Sequence, residues 1–164
     1  MNFERARFNM VEQQVRTWEV LDSKVLGLME SVHREDFVPV RYRKLAFADL
    51  SIPLAMGQSM MCPRVEGRML QSLDIQEDDS VLEIGTGSGF ITACLSILAR
   101  RVVSVELFEE LFLDAEIRLR DKHARLTRSA VRSVTTEPPA GRSRRRWTGR
   151  ARRASRCARG HRSA

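Results

Sequence analysis

The sequence predicts an α/β fold built on a Rossmann-like parallel βαβ unit and preceded by a helical segment. Three observations carry this. "SVLEIG", Ser80 to Gly85, is a short apolar run that ends in glycine. "RRVVSVE", Arg100 to Glu106, is a second such run. Between them, residues 88–99 repeat apolar side chains at helical spacing through Phe90, Ile91, Cys94, Leu95 and Leu98. Strand, helix and strand at this spacing form a crossover that makes the two strands parallel and buried.

The elements before this unit follow from local chemistry. Residues 3–17 carry Phe3, Ala6, Met10, Val11 and Val15 at helical spacing with charges between them. A second helix is expected from about Ser23 to Val32, with Asp22 as its N-cap. Pro39 stops any helix at its predecessor. Residues 40–62 read as irregular or short extended pieces around Pro53 and Gly57. Pro63 suits the first position of a third helix reaching Leu73, because it has no N–H to leave unpaired there. "DIQEDD" is a polar turn into the first strand. After the second strand a helix covers roughly 108–120, supported by Asp114/Arg118 and Glu116/Arg120 four residues apart.

Charge divides the chain. Residues 1–121 hold 14 Lys+Arg against 20 Asp+Glu, a net −6. Residues 122–164 hold 14 Lys+Arg against the single acid Glu137, a net +13. The overall +7 therefore belongs to the C-terminal 43 residues, and the body reads as mildly acidic. Three scattered cysteines, Cys62, Cys94 and Cys157, suggest neither a disulfide framework nor a zinc site. The polar start "MNFERARFNMVEQQ" does not read as a signal peptide, and no apolar run nears the ~20 residues of a membrane span. A cytoplasmic location is the expectation. His33, His123 and His161 are isolated and read as surface residues.

The glycine loop carries the chemistry. "VLEIGTGSGF", Val81 to Phe90, leads from a strand end into a helix N-terminus. Glycine lets the backbone approach a ligand closely, and the first turn of the helix offers free N–H groups. Glu106 lies 21 residues beyond Gly85, at the end of the next strand, where a carboxylate can accept both hydroxyls of a ribose. A ligand containing a nucleoside is implied. The dinucleotide pattern G-x-G-x-x-G fails, because Phe90 occupies its third glycine position. The observed order is E-x-G-x-G-x-G, opened by Glu83. A cationic sulfonium without a pyrophosphate suits this acid-flanked loop, which favours S-adenosyl-L-methionine over NAD.

"VLEIGTGSGF" with "VVSVE" resembles the first two motifs of class I methyltransferases. Upstream, "REDFVP", "AFADLSIPLAMGQSM" and "PRVEGRMLQSL" resemble the protein-L-isoaspartate O-methyltransferases, carboxyl methyltransferases that begin the repair of damaged aspartyl sites. The resemblance covers about residues 4–121. It implies that Glu83, Gly85, Thr86, Gly87, Ser88 and Gly89 surround the methionine end of S-adenosyl-L-methionine and that Glu106 binds its ribose. It implies that Gln58 and Ser59 lie over the substrate pocket, with Ser59, the earlier of the loop's two hydroxyl positions, as the catalytic residue that this chain keeps. The acceptor carboxylate is already ionised at neutral pH, so no general base is required, which fits the lack of a His/Asp or Cys/His constellation. One departure stands out. The family loop reads Gly-Gln-Thr-Ile-Ser-Gln-Pro, whereas this chain has Gly57-Gln58-Ser59-Met60-Met61-Cys62-Pro63. Met61 replaces a hydroxyl, so a methyltransferase with another acceptor stays open.

Domain organisation follows: 1–76 a helical, substrate-side segment; 77–121 the cofactor-binding βαβ unit of a truncated class I sheet; 122–164 an Arg-rich tail that is disordered or out of frame. The frame reading rests on "VTTEPPAG", Val134 to Gly141. Suitable codons for it, regrouped one base earlier, spell Gly-Asp-Asp-Gly-Thr-Ala-Gly-Trp, a close match to the motif the family carries after its third strand. The competing reading is a genuine basic tail that binds nucleic acid non-specifically through its arginines, and with it a non-catalytic binding protein.

Overall fold

The computed structural model describes residues 2–122 and 129–133. The chain opens with α1 (Phe3–Met10), capped by Asn2, whose side chain accepts from the Arg5 amide. The helical path continues through a π turn at Val11–Val15 and a 3₁₀ turn at Arg16–Trp18, so the expected helix over 3–17 is present but not uniformly α. α2 (Ser23–Ser31) starts at Asp22, whose carboxylate accepts from the Lys24 amide. Short 3₁₀ turns at Arg34–Asp36 and Val40–Leu45 lead to an antiparallel hairpin, β1 (Ile52–Pro53) and β2 (Ser59–Met60). α3 (Pro63–Leu73) has its proline at the first position.

β3 (Ser80–Ile84), α4 (Phe90–Leu98) and β4 (Arg101–Glu106) form the expected parallel unit, with Val81 opposite Val102 and Ile84 opposite Val105. α5 (Glu109–Lys122) follows. The structure then adds what periodicity did not foresee. β5 (Ser129–Ser133) runs parallel to β4, with Val131 opposite Ser104, and the sheet order is β3-β4-β5. Among the described residues the sheet therefore has three strands, one more than the expected βαβ unit. "SAVRS" is too short and too polar to announce a strand, and its pairing with β4 is a long-range backbone event. Apart from Lys122 and this strand, the stretch expected to be disordered or out of frame lies outside the described residues.

One core joins the two parts. Met10, Val11, Val15, Val20, Val25, Met29 and Val32 from the N-terminal helices are buried with Phe37, Ile52, Leu70, Phe90, Ala93 and Val102. Within the helical segment, α3 packs tightly at Gly67. A Cβ there would stand 2.7 Å from Val15 Cγ1 and 3.1 Å from Met29 Sδ, so the π turn and α2 can pack on α3 only against a glycine. Position 67 thereby seats α3 on the π turn and α2.

Candidate active site

The loop after β3 is shaped by its glycines. Gly85, Gly87 and Gly89 all have left-handed backbone, with φ of 91°, 55° and 87°. At Gly85 a Cβ would meet nothing within 4 Å, so the open space beside its backbone is available to a ligand. At Gly89 the need is internal, because a Cβ would press Leu119 Cγ at 3.3 Å and Ala115 Cβ at 3.4 Å, both on α5. The Gly85 amide donates to Val105 O at 2.8 Å, and the Ser88 hydroxyl accepts from the Phe90 amide at 3.3 Å at the start of α4.

A hydroxyl network stiffens this loop from below. Thr92 Oγ1 and Ser104 Oγ both donate to Glu83 Oε2, at 2.5 and 2.6 Å. Ser104 has then spent its proton, so Thr86 must donate in the 2.6 Å contact between Thr86 Oγ1 and Ser104 Oγ. Burial raises the Glu83 carboxyl above its ordinary value and the Glu106 charge adds to this, while the Ser104 and Thr92 hydrogen bonds pull the other way. Glu83 thus acts on the loop through α4, β4 and Thr86.

A cavity of about 320 Å³ opens between this loop and the helical segment. Ser59, Met60 and Met61 of the hairpin, Glu66 and Met69 of α3, and Glu83, Gly85, Thr86, Gly87 and Ser88 all line it. Six of the residues singled out from sequence therefore meet at one place. Three stand off its wall. Gly89 faces α5. Gln58 is exposed and donates from Nε2 to Met56 O at 3.2 Å, within the hairpin turn. Glu106 is 4% exposed, and its carboxylate accepts from the amides of Gly87 at 2.8 Å, Leu107 at 2.8 Å and Phe108 at 3.0 Å. Three free N–H groups at a strand end draw the carboxylate inward, so it ties the glycine loop to the end of β4.

The structure also brings in two residues to which the motifs gave no role. Arg34 is fully buried. Its Nε donates to Glu66 Oε2 at 2.9 Å and its Nη2 to Glu66 Oε1 at 3.2 Å. Its Nη1 donates to Ala46 O at 2.5 Å and its Nη2 to Met61 O at 2.6 Å. Burial raises the Glu66 carboxyl, against the lowering effect of the Arg34 charge and hydrogen bonds. The available signal was phase: Glu66 falls on the α3 face of Pro63, Gly67 and Leu70, all buried, where an acid requires a partner.

The model of the protein-L-isoaspartate(D-aspartate) O-methyltransferase family matches residues 5–143. The chain belongs to this family. The match runs beyond the limit near residue 121 that the motifs suggested. The protein-L-isoaspartate O-methyltransferase of Koribacter versatilis is 39% identical over 113 residues, 69% of this chain and 51% of that protein. That of Jannaschia sp. is 42% identical over 104 residues, 63% of this chain and 47% of that protein. The chain thus spans about half the length of these isoaspartyl methyltransferase relatives. Among solved structures, a putative protein-L-isoaspartate O-methyltransferase from Plasmodium falciparum, in complex with S-adenosyl-L-homocysteine, superposes with a TM-score of 0.66. It is 16% identical, over 80% of this chain and 62% of that one, which fixes the family's class I methyltransferase fold. Among the described residues no helix is long and apolar enough to cross a membrane, and no cluster of three or more potential metal ligands occurs.

Proposed function

We propose that the chain transfers a methyl group from S-adenosyl-L-methionine to the free carboxylate of L-isoaspartyl residues in damaged proteins, the first step of their repair, and does so in the cytoplasm. The observation that carries this is the single cavity lined by both the glycine loop and Ser59, because methyl transfer needs donor and acceptor side by side. Family membership supports the reaction class.

The residues present fit the cofactor. Gly85 leaves room for it, the loop exposes backbone rather than side chains, and the Glu83 carboxyl on the lining favours a sulfonium. When bound, S-adenosyl-L-methionine supplies an electrophilic methyl carbon. Glu83 holds the loop through Thr86 and Ser104. Glu106 can accept ribose hydroxyls once it exchanges its bond to the Gly87 amide for them. Ser59, on the cavity wall, donates to the acceptor, and Gln58 reaches it after leaving Met56 O. The apolar lining of Leu54, Met60, Met69 and Ile91 excludes water. No group has to remove a proton, since the acceptor is already a carboxylate.

A second reading has its own observation. Met61 lines the cavity where the family loop has a hydroxyl, which favours an acceptor that needs one hydrogen bond fewer. Radiolabelled methyl transfer from the 164-residue chain to matched isoaspartyl and aspartyl peptides tests both. Label on the isoaspartyl peptide alone is expected. Cofactor binding without label on either peptide overturns the repair reading in favour of another acceptor, and no cofactor binding leaves an inactive truncated form or the basic binding protein. Resequencing the gene from codon 110 to past the stop tests whether the frame shifts between about residues 121 and 133.

A further inference from the structure

We infer that Arg34 is a positioning residue for the acceptor side of the cavity, acting through the Met61 backbone and the Glu66 carboxylate. The kinetic part of this inference rests on the methyl-transfer reading. Four hydrogen bonds leave one planar guanidinium and end on three separate segments: Ala46 before the hairpin, Met61 after it, and Glu66 on α3. Its central carbon also lies 5.6 Å from the ring centroid of Phe90, the residue that follows Gly89 and begins α4. Arg34 therefore touches the acceptor loop, a wall of the cavity and the helix that leaves the glycine loop.

Stability alone gives little reason for such a group. Desolvating two charges offsets most of their attraction, and a well-packed apolar pair is often as stable. What a guanidinium adds is geometry. Its rigid fork fixes the directions of its donors, so the Met61 carbonyl is held relative to α3 and not merely near it. Met61 and Ser59 lie on one short loop, and both line the cavity. A shift of the Met61 carbonyl displaces the Ser59 hydroxyl with it. Lysine at position 34 keeps the charge, but its single nitrogen cannot serve Glu66, Ala46 and Met61 together.

Two variants of the full chain test this: Arg34→Lys, and the double replacement Arg34→Met/Glu66→Met, which removes both buried charges and is expected to fold. In either, the KM for an isoaspartyl peptide is expected to rise about tenfold, with S-adenosyl-L-methionine affinity within about twofold of wild type. Hydrogen exchange of the Ser59 to Met61 amides is expected to speed up about tenfold, with β3 and β4 amides unchanged. Unchanged exchange and KM in the double variant overturn the inference. So does a parallel loss of cofactor affinity with faster exchange throughout β3 and β4, which marks a general structural role. If the wild-type chain transfers no methyl group, the methyl-transfer reading fails by itself. The exchange data on the same variants then decide the positioning role alone.

Discussion

The two walls of the cavity are held in different ways. The helical wall closes on itself: α3 is seated on the π turn and α2 at Gly67, and Arg34 with Glu66 pins it to the Met61 carbonyl after the hairpin. The sheet wall is β3, which pairs with β4 on one side and with no described strand on the other. Leu82 and Ile84 are 63% and 76% exposed there, although both line the cavity. Parallel sheets are normally covered on both faces and their strands read as apolar runs. β3 has that sequence without that cover. The lesson is that "VLEI" encodes a central strand, while the described sheet leaves it at an edge. The glycine loop keeps its shape nonetheless, because its supports are Glu83, Glu106 and α5, all on the paired side.

The comparison can be broken most severely at Arg34. Arg34→Ala leaves Glu66 buried without its partner and is expected to cost about 3–5 kcal/mol, read as a loss of urea midpoint at constant slope. A cost near zero would mean that the helical wall does not depend on the pair. Next, Leu70→Ala on the buried face of α3 is expected to cost about 2–5 kcal/mol, while Leu82→Ala on β3 stays within about 0.5 kcal/mol. Equal costs in the same denaturation series would show that Leu82 is covered in solution and erase the contrast. Gly67→Ala is expected to cost about 1–3 kcal/mol, because crowding Val15 and Met29 outweighs the better helix propensity of alanine. A gain in melting temperature would show that the π turn yields easily.

The smallest effect sharpens the sheet side. The Glu83 carboxyl is raised in the folded state from about 4.5, chiefly by burial. A raised acid binds its proton more tightly when folded, so its contribution is full below the unfolded value and is lost as pH rises above it. Glu83→Gln keeps the acceptor for Thr92 and Ser104 without the charge. Its melting temperature relative to wild type is therefore expected to climb by a few degrees as pH increases from 4.5 to neutral. A flat difference across that range would mean that the hydroxyl bonds fully offset burial.

Legibility followed the range of the interactions. The Asp22 cap, Pro63 at the head of α3, and the strand–glycine–helix order were readable because each is settled within a few residues. The Arg34–Glu66 pair was not, since its partners lie 32 residues apart and nothing local to "REDF" points to α3. Glu106 was correctly placed at the end of β4, but which groups its carboxylate meets depended on the Gly87 amide coming across from the neighbouring strand. β5 was missed for the same reason, because five residues without a periodic pattern become a strand only when β4 offers them a partner.

By itself, the sequence determined the secondary structure of the body, the glycine loop and the class of ligand that loop suits, since backbone freedom, capping and periodicity are local properties. Only the tertiary structure decided that Ser59 and the glycine loop line one cavity, that a buried arginine holds the Met61 carbonyl beside it, and that β3 is an edge strand among the described residues. These depend on which distant groups can satisfy one another once water is excluded, and no local pattern encodes that.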